Sequence, residues 1–305
     1  MNVDLTVSRE GRPLTEAIPA WKDTPTHSLD VGGTSFAYRE LGPRGGTPLV
    51  FLHHFTAVLD DWDPRVIDPI ARERHVITFD NRGIGASGGK VPHTIAAMAA
   101  DAAAFIRTLG HDEVDLLGFS LGGGVAQEVT LQNPDLVRRL ILTGTGHRGG
   151  GGLTRMPLIV GGAYTKAALT RLDPRQFLFF NRNAVGKRAG SDYIARLGER
   201  TADRDEHISQ QARIAQLLAI REAGLGEPHD LSKITQPTFV ANGDNDVMVA
   251  SSQSRVLAER IPNSKLVIYP DSGHGGIFQN RERFVPAVLE FLGAEDPIGA
   301  AGATA

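Results

Sequence analysis

Gly118-Phe119-Ser120-Leu121-Gly122 follows a short apolar run, Val114-Asp115-Leu116-Leu117, and leads into the small-residue stretch Gly123 to Val129. The run is brief enough for a buried strand, and the stretch can continue as a helix. A serine between a strand and a helix, with glycine two residues away on each side, is a candidate nucleophile elbow. The turn is sharp enough that side chains at the flanking positions would collide. Such a turn lifts the Ser120 hydroxyl out of the sheet and sets the Leu121 amide at a helix N-terminus, where it can stabilise developing negative charge. The competing reading is a glycine-rich turn whose serine only caps the helix. Five residues recur by chance, and the rest of the chain has to decide.

Working outward, the chain alternates between strands and helices. Leu49-Val50-Phe51-Leu52 and Val76-Ile77-Thr78-Phe79 are continuous apolar runs of the kind buried on both faces of a parallel sheet. Thr26 to Val31 and Thr34 to Leu41 flank Gly32-Gly33, a two-residue hairpin signal. Apolar residues at three-to-four spacing predict a helix from about Thr94 to Leu109, stopped by Gly110. Leu140 to Thr143, Pro237 to Ala241 and Lys265 to Tyr269 read as further strands. Helices are predicted over about Ser251 to Arg260 and Glu282 to Leu292. Between residues 147 and 230 the alternation stops and the patterns are helical.

This order predicts an α/β fold with a mostly parallel, doubly wound sheet. The interruption predicts a helical cap over the carboxyl ends of the strands, where open α/β sheets bind ligands. The expected divisions are an N-terminal arm (1–25), a core (26–146 and 231–293), a cap (147–230) and a flexible tail (294–305). The cap region holds 13 of the 32 Lys and Arg residues but only 9 of the 35 Asp and Glu. That excess points either to a solvated basic face or to an anionic substrate.

A chain of 305 residues with 41% hydrophobic and 22% charged content can bury a large core. A net charge of −3 gives no bias towards nucleic acid or an anionic membrane. The absence of cysteine removes thiol catalysis, disulfides and thiolate metal sites. Met1 to Leu5 lack the basic-then-apolar pattern of a signal peptide, and no apolar run is long enough to span a bilayer. The expectation is a cytoplasmic protein acting on a small molecule, with homo-oligomer formation left open.

A serine nucleophile needs a base, and the base an orienting partner. His274, in the loop after the last strand, occupies the sheet edge where Ser120 emerges. The acid should come from the preceding strand's loop, Asn242 to Val249, which offers Asp244 and Asp246. Asp271 reads as a turn residue. A second oxyanion donor is expected after an earlier strand, where His53-His54-Phe55-Thr56 makes the Phe55 amide the natural choice beside that of Leu121. Neighbouring histidines on a strand point to opposite faces, and no carboxylate stands at ligand spacing; no metal or other cofactor is expected. Gly83 to Gly88 matches a dinucleotide fingerprint, but Gly89, Lys90 and Pro92 delay the next helix too far for it to meet a phosphate. His54, His147, Phe177 and Phe180 are candidate substrate contacts, and Leu153, Met156, Leu158, Ile159 and Phe179 could also line an apolar pocket, with ordinary helix packing the alternative for all the cap's apolar residues.

Over about residues 26 to 292 the chain resembles the α/β-hydrolase superfamily. Five segments agree in order: His53-His54-Phe55, Asp80 to Ser87, Gly118 to Gly122, Gly243 to Asp246 and Gly273-His274. The resemblance implies the chain order serine, acid, histidine, and picks Asp246, which lies three residues after Gly243 as in the family's Gly-x-x-Asp loop. It also implies that Asp80 to Ser87 borders the pocket. The family places glycine where this chain has His54, and a left-handed backbone there would strain the histidine. The implied activity is serine hydrolysis of an apolar, ester-like carbonyl compound. Related chemistries on the same fold are carbon–carbon bond hydrolysis and cofactor-free peroxidase or perhydrolase reactions. From another class, a non-catalytic receptor could retain the pocket.

Overall fold

The computed structural model describes residues 18–295, and most of the expected arm and tail therefore lie outside the described residues. The described chain begins with a hairpin of β1 (His27–Val31) and β2 (Thr34–Leu41), turned by Gly32 and Gly33 at φ 60° and 83°. Then follow β3 (Leu49–Leu52), α1 (Pro64–Ala71), β4 (Val76–Phe79), α2 (Ile95–Thr108), β5 (Val114–Phe119), α3 (Leu121–Gln132) and β6 (Val137–Thr143). Four helices come next without a strand: α4 (Met156–Thr170), α5 (Arg175–Leu178), α6 (Ala184–Leu197) and α7 (Gln210–Leu225). Alternation resumes with β7 (Thr238–Gly243), α8 (Ser251–Arg260) and β8 (Ser264–Tyr269), and ends with α9 (Gly276–Gln279) and α10 (Arg281–Gly293).

The strands form one sheet in the order β1-β2-β4-β3-β5-β6-β7-β8. The pairings β1–β2 and β2–β4 are antiparallel, and every pairing from β4 onward is parallel. Every residue of β3, β4, β5 and β7 is buried, as expected for strands covered on both faces, whereas β8 at the edge is only half-buried. Phe79 stacks on Phe105 of α2 at 4.3 Å, with Phe36 against both. Among the described residues no helix is long and apolar enough to cross a membrane.

Helix α1 was not legible in the sequence. Its eight residues contain two prolines, residues that ordinarily interrupt a helix. Pro64 instead occupies the first turn, where no intrahelical N–H is required, and Asp63 caps the helix by accepting from the Arg65 amide at 2.9 Å.

Four arginines of the segment between β6 and β7 have a specific use. They face three carboxylates on the stretch after β3. Arg175 pairs with Asp61, Arg196 grips Asp63 through two bonds of 2.9 and 2.7 Å, and Arg204 and Arg200 lie 3.3 and 3.6 Å from Asp60. In return Asp205 lies 3.3 Å from Arg39 of β2, whose guanidinium also bonds Asp60 at 2.8 Å. Asp60 and Asp205 accept from each other's backbone amides at 3.0 and 2.9 Å. The four arginines therefore fasten the helical insert to the stretch after β3, while Lys166, Arg171, Lys187 and Arg188 lie exposed on its surface.

Two carboxylates on one buried guanidinium are in tension. Burial raises the Asp205 pKa to about 6, with Asp60 adding to the rise and Arg39 opposing it. The folded protein thus holds this proton more tightly than the unfolded chain. The resulting stability is fully present below the ordinary value of 3.8 and is lost as pH rises through about 6. Urea unfolding across that window should show the wild type losing stability relative to Asp205→Asn. Arg39→Ala removes the ion-pair partner of the buried Asp205 and should cost about 3–5 kcal/mol at neutral pH by the same measurement.

Candidate active site

Strand β5 delivers Ser120 at its carboxyl end with φ 57° and ψ −114°, a conformation that a non-glycine residue rarely adopts. Three backbone bonds hold it there. Its amide donates to Thr143 O at 2.9 Å, and its carbonyl accepts from the amides of Gly123 at 2.9 Å and Gly124 at 3.3 Å. Glycine is required on both sides by crowding: a Cβ at Gly118 would lie 2.4 Å from Gly122 O, and one at Gly122 would lie 2.1 Å from Leu52 O. The Ser120 side chain makes no capping bond to α3, which removes the reading of it as a helix cap.

His274 and Asp246 meet beside it. His274 Nδ1 lies 2.7 Å from Asp246 Oδ2, and both side chains are fully buried. Asp246 Oδ1 accepts from the amides of Met248 at 2.8 Å and Val249 at 2.9 Å, which fixes the carboxylate's orientation. A carboxylate so engaged accepts, and Nδ1 therefore donates, leaving the lone pair on Nε2. Nε2 has no hydrogen-bond partner among the described residues. Asp244 serves elsewhere, accepting from Asn245 Nδ2 at 2.7 Å and the Ser272 amide at 3.1 Å. Asp271 accepts from Asn181 and Asn183 at the surface.

The turn after β3 supplies the opposite wall. Thr56, at φ 64°, carries the left-handed residue of this turn, while His54 is outside that region and bears no such strain. The Phe55 amide donates to no acceptor among the described residues, and Leu121, as the first residue of α3, has no intrahelical acceptor. Both amides are free for a ligand. The two histidines diverge: His53 packs on Trp62 and meets Thr78 Oγ1 at 3.2 Å, while His54 lies against Phe119 and Phe179. No cluster of three metal-ligating side chains gathers among the described residues.

Two spaces reach Ser120. One is a cleft of about 590 Å³, part of it open to solvent, walled by Ile95, Leu121, Leu153, Met156, Ile220 and Val249. Its rim is polar, with His229 Nε2 2.7 Å from Glu128 Oε2, Arg148 paired to Glu222, and His147 donating from Nδ1 to Arg148 O at 2.7 Å. The other is a narrow slot, with a cavity volume of about 20 Å³, bounded by His54, Phe55, Tyr164, Arg175, Phe179 and His274. The slot shares His54, Thr56, Tyr164 and Arg175 with a larger polar chamber.

His54 and His147 thus border these spaces, but Phe177 and Phe180 do not line them. Arg182 covers the Phe177 ring at 4.3 Å, and Phe180 packs on Tyr193 and Phe179. Phe179, between them in sequence, is the one that reaches the slot. The sequence reading assigned no site role to Ile220, Tyr164, Arg175, Met248 or Val249. The last two follow Asp246 at the carboxyl edge of β7, and that position was the available signal; the insert residues carried none. The glycine-rich stretch after β4 wraps a buried carboxylate, not a phosphate: Asp80 accepts from the amides of Leu59 at 2.9 Å and Ala86 at 3.3 Å. A Cβ at Gly85 would lie 2.1 Å from that carboxylate.

Comparison with known proteins agrees with this architecture. A family model described as alpha/beta hydrolase fold matches residues 47–281. A solved alpha/beta hydrolase fold protein from Chitinophaga pinensis is 37% identical, with a TM-score of 0.87 over 91% of this chain and 100% of that one. A Caulobacter sp. (strain K31) protein named as a candidate carbamate hydrolase, RutD, is 31% identical over 248 residues, 77% of this chain and 86% of its own length. A poly(3-hydroxyalkanoate) depolymerase of Ectopseudomonas oleovorans is 28% identical over 255 residues, covering 82% of this chain and 85% of that protein.

Proposed function

The chain belongs to the α/β-hydrolase family, and from its site we propose that it is a serine hydrolase, cleaving an ester-like carbonyl substrate through an acyl-enzyme. The observation that carries this reading is the 2.7 Å bond between Asp246 and His274, which leaves Nε2 of His274 unpartnered in the slot it shares with Ser120.

Ser120 Oγ attacks the carbonyl carbon while His274 Nε2 takes its proton. Asp246 keeps the imidazole in the required tautomer and stabilises the imidazolium. The Leu121 and Phe55 amides hold the oxyanion that forms. As the intermediate collapses, the carbon–oxygen bond to the leaving group breaks and His274 returns the proton to that oxygen. Water, deprotonated by the same nitrogen, then attacks the acyl-enzyme, and Ser120 recovers its proton. Burial of Asp246 and His274 supports the step, since their attraction is stronger where water is excluded. The apolar cleft suits an apolar portion of the substrate, and residues 147–230 act as a cap selecting it. The names of two relatives, which refer to a carbamate hydrolase and a polyester depolymerase, fit acyl transfer to a serine.

A fluorophosphonate probe should label the wild type at Ser120, and hydrolysis of 4-nitrophenyl acetate should fall by about 10⁴-fold or more in Ser120→Ala. No labelling, or hydrolysis that survives Ser120→Ala, overturns the reading. Asp246→Asn should lower kcat by roughly 10⁴-fold through loss of the tautomer. Asp244→Asn, remote from the imidazole, should stay within about tenfold of wild type by the same assay.

A further inference from the structure

His54 belongs to the wall of the slot beside Ser120 and carries an unpaired acceptor. Its ring is 3% exposed and lies edge-on to two aromatic rings, Phe119 at 5.3 Å and 72° and Phe179 at 5.1 Å and 85°. Nδ1 is 2.8 Å from Phe55 O. A carbonyl oxygen can only accept, and Nδ1 therefore carries the proton and donates. Burial holds the ring neutral, with its pKa pulled down to about 4. The remaining lone pair sits on Nε2, which is buried and has no donor among the described residues.

Leaving a buried acceptor unsatisfied costs about 1–3 kcal/mol, and at the wall of a ligand space the ligand itself can supply the missing donor. His53 has an unpartnered ring nitrogen as well, Nδ1, but it lines neither of the spaces that reach Ser120: it meets Thr78 Oγ1 at 3.2 Å and lies tilted against Trp62. His54 instead borders both the slot beside Ser120 and the chamber beyond it. It also adjoins Phe55, whose amide is one of the two donors assigned to the oxyanion.

We propose that His54 Nε2 accepts a hydrogen bond from a hydroxyl or N–H group that the substrate carries close to its scissile carbonyl. The substrate class is then an acyl compound with an apolar portion for the cleft and a hydrogen-bond donor on the portion that enters the slot. The charged groups at the slot do not take this role. Arg175 is engaged by Asp61 and Asp173, and it is a donor, which suits an acceptor on the ligand instead. The proposal rests on the serine-hydrolase reading for its placement of the carbonyl, and its test separates the two.

Two ester pairs differ only by a hydroxyl or its methyl ether: 2-hydroxyethyl against 2-methoxyethyl butyrate, and methyl 3-hydroxybutyrate against methyl 3-methoxybutyrate. The first pair puts the donor on the alcohol, the second on the acid. In at least one pair the hydroxyl ester should have a kcat/KM roughly tenfold higher in the wild type, and His54→Phe should bring that ratio to about one. Measurable but equal rates within both pairs in the wild type, or a ratio that persists in His54→Phe, overturn the proposal. A second measurement does not depend on turnover. In Ser120→Ala labelled with ¹⁵N-histidine, the Nε2 resonance lost on further His54→Phe substitution should move with the hydroxyl ester and not with its methyl ether. No movement, or equal movement with both, overturns the proposal even if the wild type is an active esterase. Selective movement sustains it even if the wild type hydrolyses none of the four esters, an outcome that removes the hydrolase reading alone.

Discussion

A serine at φ 57° and ψ −114° costs of the order of 1–3 kcal/mol in backbone strain, and it persists only where its surroundings leave no alternative. Here they leave none. Thr143 of β6 takes its amide, the first turn of α3 takes its carbonyl, and Gly122 lies against Leu52 O with no room for a Cβ. Relaxing Ser120 would mean moving α3 away from β3, or β5 away from β6. Neither is cheap, because β3 and β5 are buried at every residue and pair along their length. The strain is thus held by the centre of the sheet. Parallel order does the rest: the turns after β3, β7 and β8 all emerge at the edge where Ser120 sits, bringing Phe55, Asp246 and His274 to it from distant parts of the chain.

The insert between β6 and β7 completes what the sheet leaves open. Phe179 O accepts from the Gly275 amide at 2.8 Å, next to His274, and the Phe179 ring lies 5.4 Å from the imidazole. Phe119 and Phe278 close the same aromatic cluster from the core. An imidazole and carboxylate walled in this way face little water, which strengthens their mutual attraction. The ionic contacts have a different role. Paired charges at a partly buried boundary contribute little net stability once desolvation is counted, but a mispaired one is costly. The Arg196–Asp63 and Arg39–Asp60–Asp205 contacts therefore define where the insert sits more than how tightly it holds.

What could be read from the sequence follows from how local each cause is. The strand runs, the turn at Gly32-Gly33 and the helix from Ser251 to Arg260 depend on their own residues and were legible. So was the fold, because strand and helix periods alternate along the chain. The choice between Asp244 and Asp246 was not open to the residues alone, and only the family resemblance picked Asp246. It depends on a loop in which one carboxylate braces Ser272 and the other meets His274. Counting charges showed that the insert is basic but not that its arginines face Asp60, Asp61 and Asp63. Phe177, Phe179 and Phe180 are alike in composition, and only packing sends the middle one to the slot while Arg182 covers the first.

The two spaces that meet at Ser120 differ in kind, and the difference is tied to the amides that flank it. Leu121, whose amide opens α3, puts its side chain into the wall of the apolar cleft. Phe55, whose amide comes from the turn after β3, lines the slot beside His54. Each residue assigned to hold the oxyanion thus also shapes one of the two spaces. A ligand that fills the cleft with an apolar group and satisfies the acceptor in the slot is held from both sides, with its carbonyl between the two amides. One that reverses this arrangement places a polar group against Met156 and Val249 and leaves the His54 lone pair unmet, two penalties that add. On the proposed reading the same pair of residues couples the orientation of the ligand to the stabilisation of charge, and selectivity for one end of the substrate would follow from the geometry that accelerates its cleavage.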